Sequence, residues 1–301
     1  MSRSVGFARI IRQDDGTSIG VWGTHTLKSA FQPIFSFQDG KLSISAFEGL
    51  IRPFRDDEPW TPLAFFNSMP AVDRLHVETV ARTLHLLNAA ACLPDDALIF
   101  VNFDPSIFID RAIAETALRD MRLVLNEAHM DARRVVCEVT EQRSGSDETL
   151  FRFAETLRAN GFRIAVDDYG ADDSDMNRIR DLRPDIVKFD AKWIGRMMES
   201  SAGYALLTTM VTKFADQGIE TVFEGIEEGW QLQLAEKSGA SMVQGYALAR
   251  PEIAPTSFSA FRPSIEEADR SPAVAAGERA PASQSPQSFR AVKPFGRRAS
   301  S

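Results

Sequence analysis

Short, β-prone apolar runs alternate with longer amphipathic stretches along most of this chain, and that alternation narrows the fold more than any other feature. The runs are Phe31–Phe37, Leu42–Leu50, Ala97–Asn102, Arg134–Glu141, Arg163–Asp168, Asp185–Asp190, Ile219–Glu224 and Ser241–Gly245. Between them the apolar residues follow a helical period, as at Leu75, Val80, Leu84 and Leu87 in a helix expected over Asp73–Ala91. Thr61-Pro62 is a helix-start signal for a shorter helix over Leu63–Met69. Further helices are expected over about 112–129, 146–160, 204–217 and 228–237, and Gly161, Gly218 and Gly239 stand where the last three stop. Strands alternating with helices, joined by short connections, make an α/β domain with a largely parallel sheet. The number of units and a domain of about 240 residues favour a closed (β/α)8 barrel of the TIM type over an open sheet.

The flanks read differently. Residues 1–24 form an extended lead-in with a hairpin-type turn at Asp14-Asp15-Gly16, residues 25–261 the barrel, and residues 262–301 a tail. That tail is rich in Ser, Ala, Pro, Gln and Arg and poor in large apolar residues, the composition of a disordered segment, and ends in the basic Arg290–Arg298. Pro33, inside the first barrel strand, suggests an edge or entry position because it has no N–H to give to a ladder.

Composition excludes several function classes. A net charge of −8 over 301 residues argues against a nucleic-acid polymer as the main partner. No apolar run approaches the roughly 18 residues of a membrane helix, and the N-terminus has no signal-peptide pattern. Cys92 and Cys137, both in apolar surroundings, fit reduced packing residues of a cytoplasmic protein. There is no CxxC, no HExxH and no Gly-rich phosphate loop, which argues against zinc, haem and ordinary nucleotide triphosphates.

The chemistry is carried by the residue that ends each run. Glu48, Asn102, Glu138, Asp167 with Asp168, Lys188, Glu224 and Gln244 each follow apolar residues. In a barrel the C-terminal strand ends form one ring around the active face. Singly, each has an ordinary explanation: Asn102 capping a turn, Gln244 satisfying loop backbone, Lys188 paired with Asp185 or Asp190, and Asp167-Asp168-Tyr-Gly170 a solvated turn. Together they do not, because several close carboxylates raise one another's pKa unless a cation joins them. Five acids, two amides and a lysine suit Mg²⁺ or Mn²⁺ better than Zn²⁺. An aspartate shared by two such ions is a device for in-line attack on a phosphodiester, so the residues point to a metal-dependent hydrolase.

The motifs Phe31-Gln-Pro-Ile34, Glu48-Gly-Leu-Ile-Arg52, Asn102, Glu138-Val-Thr-Glu141, Asp167-Asp-Tyr-Gly170, Lys188-Phe-Asp190, Glu224-Gly-Ile-Glu227 and Gln244-Gly-Tyr246 resemble, in order and spacing, the EAL-domain cyclic di-GMP phosphodiesterases. The resemblance covers about residues 27–251 and implies a modified TIM barrel, usually a homodimer, that opens cyclic di-GMP to linear pGpG with two Mg²⁺ or Mn²⁺ ions in a bacterial cytoplasm. Carried over motif by motif, Glu48, Asn102, Glu138 and Asp167 hold one ion. Asp167 and Asp168 hold the other, with help from Glu227. Lys188 orients the attacking water, Glu224 is the general base or a ligand to water, and Gln244 positions substrate or water. Arg52 contacts a substrate phosphate, Gln32 lies near the substrate, and Glu141 steadies the loop after Asp168.

Two departures from the family pattern matter. Gly49 replaces the usual alanine after Glu48, read as a change in local backbone freedom. The segment Gly170–Asn177 carries three extra carboxylates, Asp172, Asp173 and Asp175, where the family links metal binding to its dimer interface. A regulatory protein partner, if there is one, would meet that segment or the basic tail, although composition alone favours a simple solubilising role for the tail. The competing reading is a catalytically weak or inactive member that serves as a cyclic di-GMP receptor or protein-interaction module.

Overall fold

A computed structural model describes residues 9–38, 40–103, 111–140, 147–171 and 176–258. Glu141, the acidic 172–175 segment and the 262–301 tail lie outside the described residues.

The chain opens with a hairpin of β1 (Arg9–Arg12) and β2 (Ser18–Trp22), whose turn is closed by Asp15 accepting from the Thr17 N–H at 2.9 Å. Two long antiparallel strands follow, β3 (His25–Gln38) and β4 (Lys41–Arg55), with Gly40 at φ +72° in their connection. So short a connection can only reverse the chain, which makes β3 antiparallel to its neighbours. The two-residue β5 (Glu58–Pro59) pairs with the end of β4. Then come α1 (Pro62–Asn67), capped by the Thr61 hydroxyl, and α2 (Ala71–Cys92).

From there strand and helix alternate: β6 (Leu98–Phe103), α3 (Arg111–Glu127), β7 (Val135–Thr140), α4 (Asp147–Ala159), β8 (Arg163–Tyr169), α5 (Met176–Leu182) and β9 (Ile186–Phe189). Helices α6 (Ala191–Met198) and α7 (Ser201–Ala215), β10 (Glu220–Phe223), α8 (Gly229–Ser238), β11 (Met242–Val243) and β12 (Glu252–Ile253) complete the series. The expected stops at Gly161 and Gly239 sit at φ +86° and +83°, left-handed positions that a side chain would strain.

The barrel runs β3-β11-β10-β9-β8-β7-β6-β4 and closes through the β3–β4 pairing. Seven strands are parallel, and β3 alone runs against both its partners. Strand β3 is therefore not an edge. Pro33 falls between the residues that pair with β12 (Ala30 and Phe31) and those that pair with β11 (Phe35 and Ser36), where the second ladder is interrupted.

Two apolar layers hold the domain. Inside the barrel, each of the eight strands contributes one residue to a single cluster: Ile34, Ala46, Phe100, Val136, Ala165, Ile186, Val222 and Met242. Outside, the alternate residues, among them Phe35, Phe47, Ile99, Cys137, Val166, Val187 and Phe223, pack under the helices. Strands buried on both faces read as continuous apolar runs, which is why no clean alternation marks them in the sequence. A third cluster joins Leu27 and Ile51 to Phe65, Val77 and Leu84 of α1 and α2.

The lead-in is tied into this body. Strand β2 pairs with β3, and the Asn88 amide of α2 both accepts from the Ser18 N–H (2.6 Å) and donates to the Ser18 carbonyl (2.9 Å). At the other end, Phe258 is buried against Phe47.

Candidate active site

Side chains on one face of a strand recur every second residue. Two positions beyond the apolar layer inside the barrel stand Glu48, Asn102, Glu138, Asp167, Lys188, Glu224 and Gln244, one for each parallel strand. On the reversed strand the equivalent residue lies two positions earlier and is Gln32, which pairs directly with Glu48. The polar ring read from the strand ends is thus a complete layer lying one pleat period above a complete apolar layer.

The Lys188 ammonium is the centre of this layer. It lies 2.5 Å from Glu138, 2.7 Å from Glu224, 3.1 Å from Asp167 and 3.6 Å from Glu48. Asp185 and Asp190 are not its partners: Asp185 accepts from the Ile164 N–H and Asp190 caps α6. Burial by itself would pull the lysine pKa down, but Asp167, Glu138, Glu224 and Glu48 together outweigh it and hold the ammonium well above its usual range. The carboxylates carry the surplus charge. Burial pushes Glu138 well above the ordinary range against the pull of Lys188, and burial with the charges of Asp167 and Glu48 raises Glu224 to about 8.

Asp167 and Asp168 are sequence neighbours, and on a regular strand they would point apart. The β8–β9 pairing shifts register between Val166 and Tyr169, and Asp168 takes φ +59°, a left-handed conformation rare outside glycine. That irregularity turns both carboxylates toward one place. Asp167, Asp168 and Glu224 each offer an oxygen, and these oxygens lie within 4.8 Å of one another. Burial and then the charge of Asp167 raise the Asp168 pKa.

The donor set fits a hard divalent cation. It consists of carboxylates and amides, and Glu138 Oε2 and Gln244 Oε1 are buried without a hydrogen-bond partner among the described residues. Glu48 is held in place from the side, accepting from Gln244 Nε2 at 2.8 Å. Glu227 stands apart from the others: it is exposed, and its N–H is taken by the Gln231 side chain that caps α8.

Beside the ring, a cavity of about 410 Å³ opens between β4, the end of β6 and helices α1 and α2. Arg52 lines it, as do Phe66, Arg74, Glu78, Arg82 and His85, none of which the sequence marked for the site. Arg82 is only 3% exposed, donates toward the Asn102 carbonyl at 3.5 Å and stacks its guanidinium 4.4 Å from the Phe103 ring. Gln32 is buried and donates to the Ala249 carbonyl at 3.4 Å. Helix α2, rich in Ala, Leu and Val, carries Arg74, Glu78, Arg82 and His85 and reads as ordinary amphipathic packing, and only its placement against β4 brings them to the site.

Known proteins share this fold and family. The EAL domain family pattern matches residues 23–251. YkuI of Bacillus subtilis, an uncharacterised EAL-domain protein, is 28% identical over 225 residues, covering 73% of this chain and 54% of YkuI. RocR of Pseudomonas aeruginosa, a cyclic di-GMP phosphodiesterase, is 29% identical over 185 residues, covering 60% of this chain and 45% of RocR. The chain thus spans about half the length of these two relatives. The crystal structure of YkuI with c-di-GMP and calcium matches with a TM-score of 0.66 at 27% identity, over 75% of this chain and 56% of that one. The manganese and c-di-GMP complex of Klebsiella pneumoniae BlrP1 at pH 9.0 shares the fold, with a TM-score of 0.68 at 22% identity over 82% of this chain and 59% of that one. With the family pattern spanning the whole barrel, this chain belongs to the EAL domain family.

Proposed function

We propose that this chain hydrolyses one phosphodiester of cyclic di-GMP, releasing linear pGpG, and that it needs Mg²⁺ or Mn²⁺ to do so. The observation that carries the reading is the complete polar layer, with Asp167, Asp168 and Glu224 converging beside a lysine that faces four carboxylates. Glu48, Asn102, Glu138 and Asp167 would hold one ion, and Asp167 with Asp168 the second. Glu227 would assist only if its exposed side chain turned inward. When bound, hard divalent ions neutralise phosphodiester oxygens and make water a better nucleophile at neutral pH.

The chain's own residues supply the rest. Water attacks phosphorus, the bond to one ribose 3′ oxygen breaks, that oxygen takes a proton from solvent to leave as the free 3′ hydroxyl, and one water is consumed as the ring opens. Lys188 orients that water and stabilises the negative charge growing on the phosphoryl oxygens. Glu224 takes the water's proton, and Gln244, already bound to Glu48, positions the reacting group. Arg52 offers a planar fork to a substrate phosphate, and Gln32 and the adjoining cavity take part of the dinucleotide. Glu141 serves the loop after Asp168.

The proposal extends to a homodimer in a bacterial cytoplasm, with a protein partner meeting the 170–177 segment or the tail. No helix among the described residues is long and apolar enough to cross a membrane. The test is to incubate the protein with cyclic di-GMP and Mn²⁺ or Mg²⁺ and resolve the products by chromatography. Metal-dependent pGpG, abolished by chelator and by Lys188→Ala, is the expected result. Binding without product would make the chain a receptor, and neither would leave a protein-interaction barrel.

A further inference from the structure

The segment from Lys188 to Trp193 touches both loops that carry the converging acids. Lys188 stands at the centre of the polar layer. The next residue, Phe189, offers its carbonyl to the Glu224 N–H at 3.3 Å, and the Asp190 N–H donates to the Tyr169 carbonyl at 3.0 Å. Asp190 then caps α6, its carboxylate accepting from the Trp193 N–H at 2.8 Å. The first turn of α6 is thereby fixed against β9.

Two glycines receive that turn. Gly170, two residues after Asp168, lies under the Trp193 indole so closely that a Cβ there would come within 2.6 Å of Trp193 Cγ. Gly225, directly after Glu224, lies against Ala191, and a Cβ there would come within 2.3 Å of the Ala191 Cβ. Both glycines have positive φ, +97° and +65°, so each loop is held in a conformation that a side chain would strain as well as obstruct. The indole is backed by Phe189, stacked at 5.5 Å and 22°. One helical turn therefore bears on the Asp167–Asp168 loop through Trp193 and on the Glu224 loop through Ala191.

We infer that Trp193 and Ala191 are positioning residues that set where the Asp167–Asp168 pair stands relative to Glu224. This rests on the reading of those acids as a cation site. Carboxylates brought together by a strand irregularity repel one another, and what braces the loops from behind holds their separation alongside the Lys188 ammonium that Asp167 and Glu224 share. Removing the indole takes its packing off Gly170 and lets Asp168 relax away from Glu224. Enlarging Ala191 pushes Gly225 and moves Glu224 outward.

The experiment is a titration of the full chain with Mn²⁺, following the electron paramagnetic resonance signal of the free ion, for wild type, Trp193→Ala, Trp193→Phe and Ala191→Val. Trp193→Ala should weaken Mn²⁺ binding about 10-fold or more, the usual scale for loss of an outer support. Trp193→Phe should retain affinity within about 3-fold, since a smaller ring still covers Gly170. Turnover of cyclic di-GMP by Trp193→Ala should fall mainly in kcat, with KM little changed. A folded Trp193→Ala that melts cooperatively and binds Mn²⁺ like wild type overturns the inference. Should Trp193→Ala not fold, Ala191→Val decides: weakened Mn²⁺ binding supports the inference, and wild-type binding overturns it. A wild-type chain that binds no Mn²⁺ overturns the cation reading and this inference with it.

Discussion

The imidazole of His85 lies against Gly49, and a Cβ on Gly49 would come within 2.9 Å of His85 Cγ. Gly49 is not among the glycines with positive φ, and it pairs with Phe31 in regular register. Backbone freedom is therefore not what glycine supplies after Glu48, as the sequence suggested; it supplies room for a ring. The ring is fixed on its other side, with Nδ1 2.9 Å from the Ser29 hydroxyl and Asn88 donating to that same hydroxyl at 3.1 Å.

Gly49→Ala is accordingly expected to destabilise the protein by about 1–3 kcal/mol, the usual range for overpacking, and to lower turnover by displacing Glu48. Adding His85→Ala should recover part of that loss, because the two changes are complementary in volume. Denaturant unfolding of the two single variants and the double variant measures the coupling. Additive losses would show that the ring and Gly49 do not press on each other.

His85 also gives the stability a defined pH dependence. Burial, with Arg52 and Arg82 nearby, depresses its pKa to about 3 from an ordinary 6.5. Between those values the unfolded chain binds a proton that the folded chain refuses, so stability rises with pH across this window. The contribution is complete above about pH 6.5 and is lost as pH falls toward 3, with a limiting slope of about 1.4 kcal/mol per pH unit. Unfolding free energies of wild type and His85→Gln between pH 7 and 4 should diverge in slope by up to that amount. Parallel curves would mean that the imidazole takes a proton in the folded state.

Lys188 is 1% exposed and Glu138 beside it is fully buried. Lys188→Met removes the ammonium that contacts four carboxylates, a loss of the kind that costs about 3–5 kcal/mol. The expected phenotype is a lower melting temperature in chelator, a larger rise on adding Mn²⁺ than wild type shows, no turnover, and retained cyclic di-GMP binding. Differential scanning calorimetry with and without Mn²⁺ reads the first two directly. Equal responses to Mn²⁺ would separate Lys188 from the proposed cation site.

How much of this was legible in the sequence follows from what each signal depends on. The polar ring was legible because it depends only on strand period and strand ends: Glu48, Asn102, Glu138, Asp167, Lys188, Glu224 and Gln244 each sit two residues past an apolar position that packs inside the barrel. The partners of Lys188 were not legible, because Asp185 and Asp190 are nearer in sequence, while the four actual carboxylates come from strands β4, β7 and β8 and from the loop after β10. Arg82 and His85 were missed for a related reason. Their helix is long enough to read as packing throughout, and only its seat on β4 turns one face into a cavity wall. Helices α5 and α6, of 7 and 8 residues, are too short to show a period, although Asp190 as a cap three residues before Trp193 was a usable sign of α6.

Arg52 lines the cavity next to the ring, half-buried, with Nη1 donating to the Ile51 carbonyl at 3.0 Å. If it grips a phosphate with its fork, lysine cannot replace it, since an ammonium offers charge without bidentate geometry. Arg52→Lys should raise KM for cyclic di-GMP about 10-fold and leave kcat within a few-fold, the result expected for lost ground-state binding. A fall in kcat at constant KM would instead place Arg52 at the reacting phosphorus.

Asp168 opposes stability to function most directly. It holds φ +59° in a conformation that costs an ordinary L-residue about 1–2 kcal/mol, and its carboxylate is crowded by Asp167. Asp168→Gly removes both burdens, since glycine reaches that region freely, and should stabilise the chain by up to about 1 kcal/mol in chelator. Asp168→Asn removes the charge but keeps a side chain that tolerates the left-handed region, so its gain isolates the electrostatic part. Both variants should lose turnover, because each takes a carboxylate from the Asp167, Asp168 and Glu224 trio. Urea unfolding of the three proteins in chelator, alongside their turnover of cyclic di-GMP with Mn²⁺, checks the pairing. A destabilised Asp168→Gly would mean that the Asp168 side chain contributes more to the fold than its strained backbone removes.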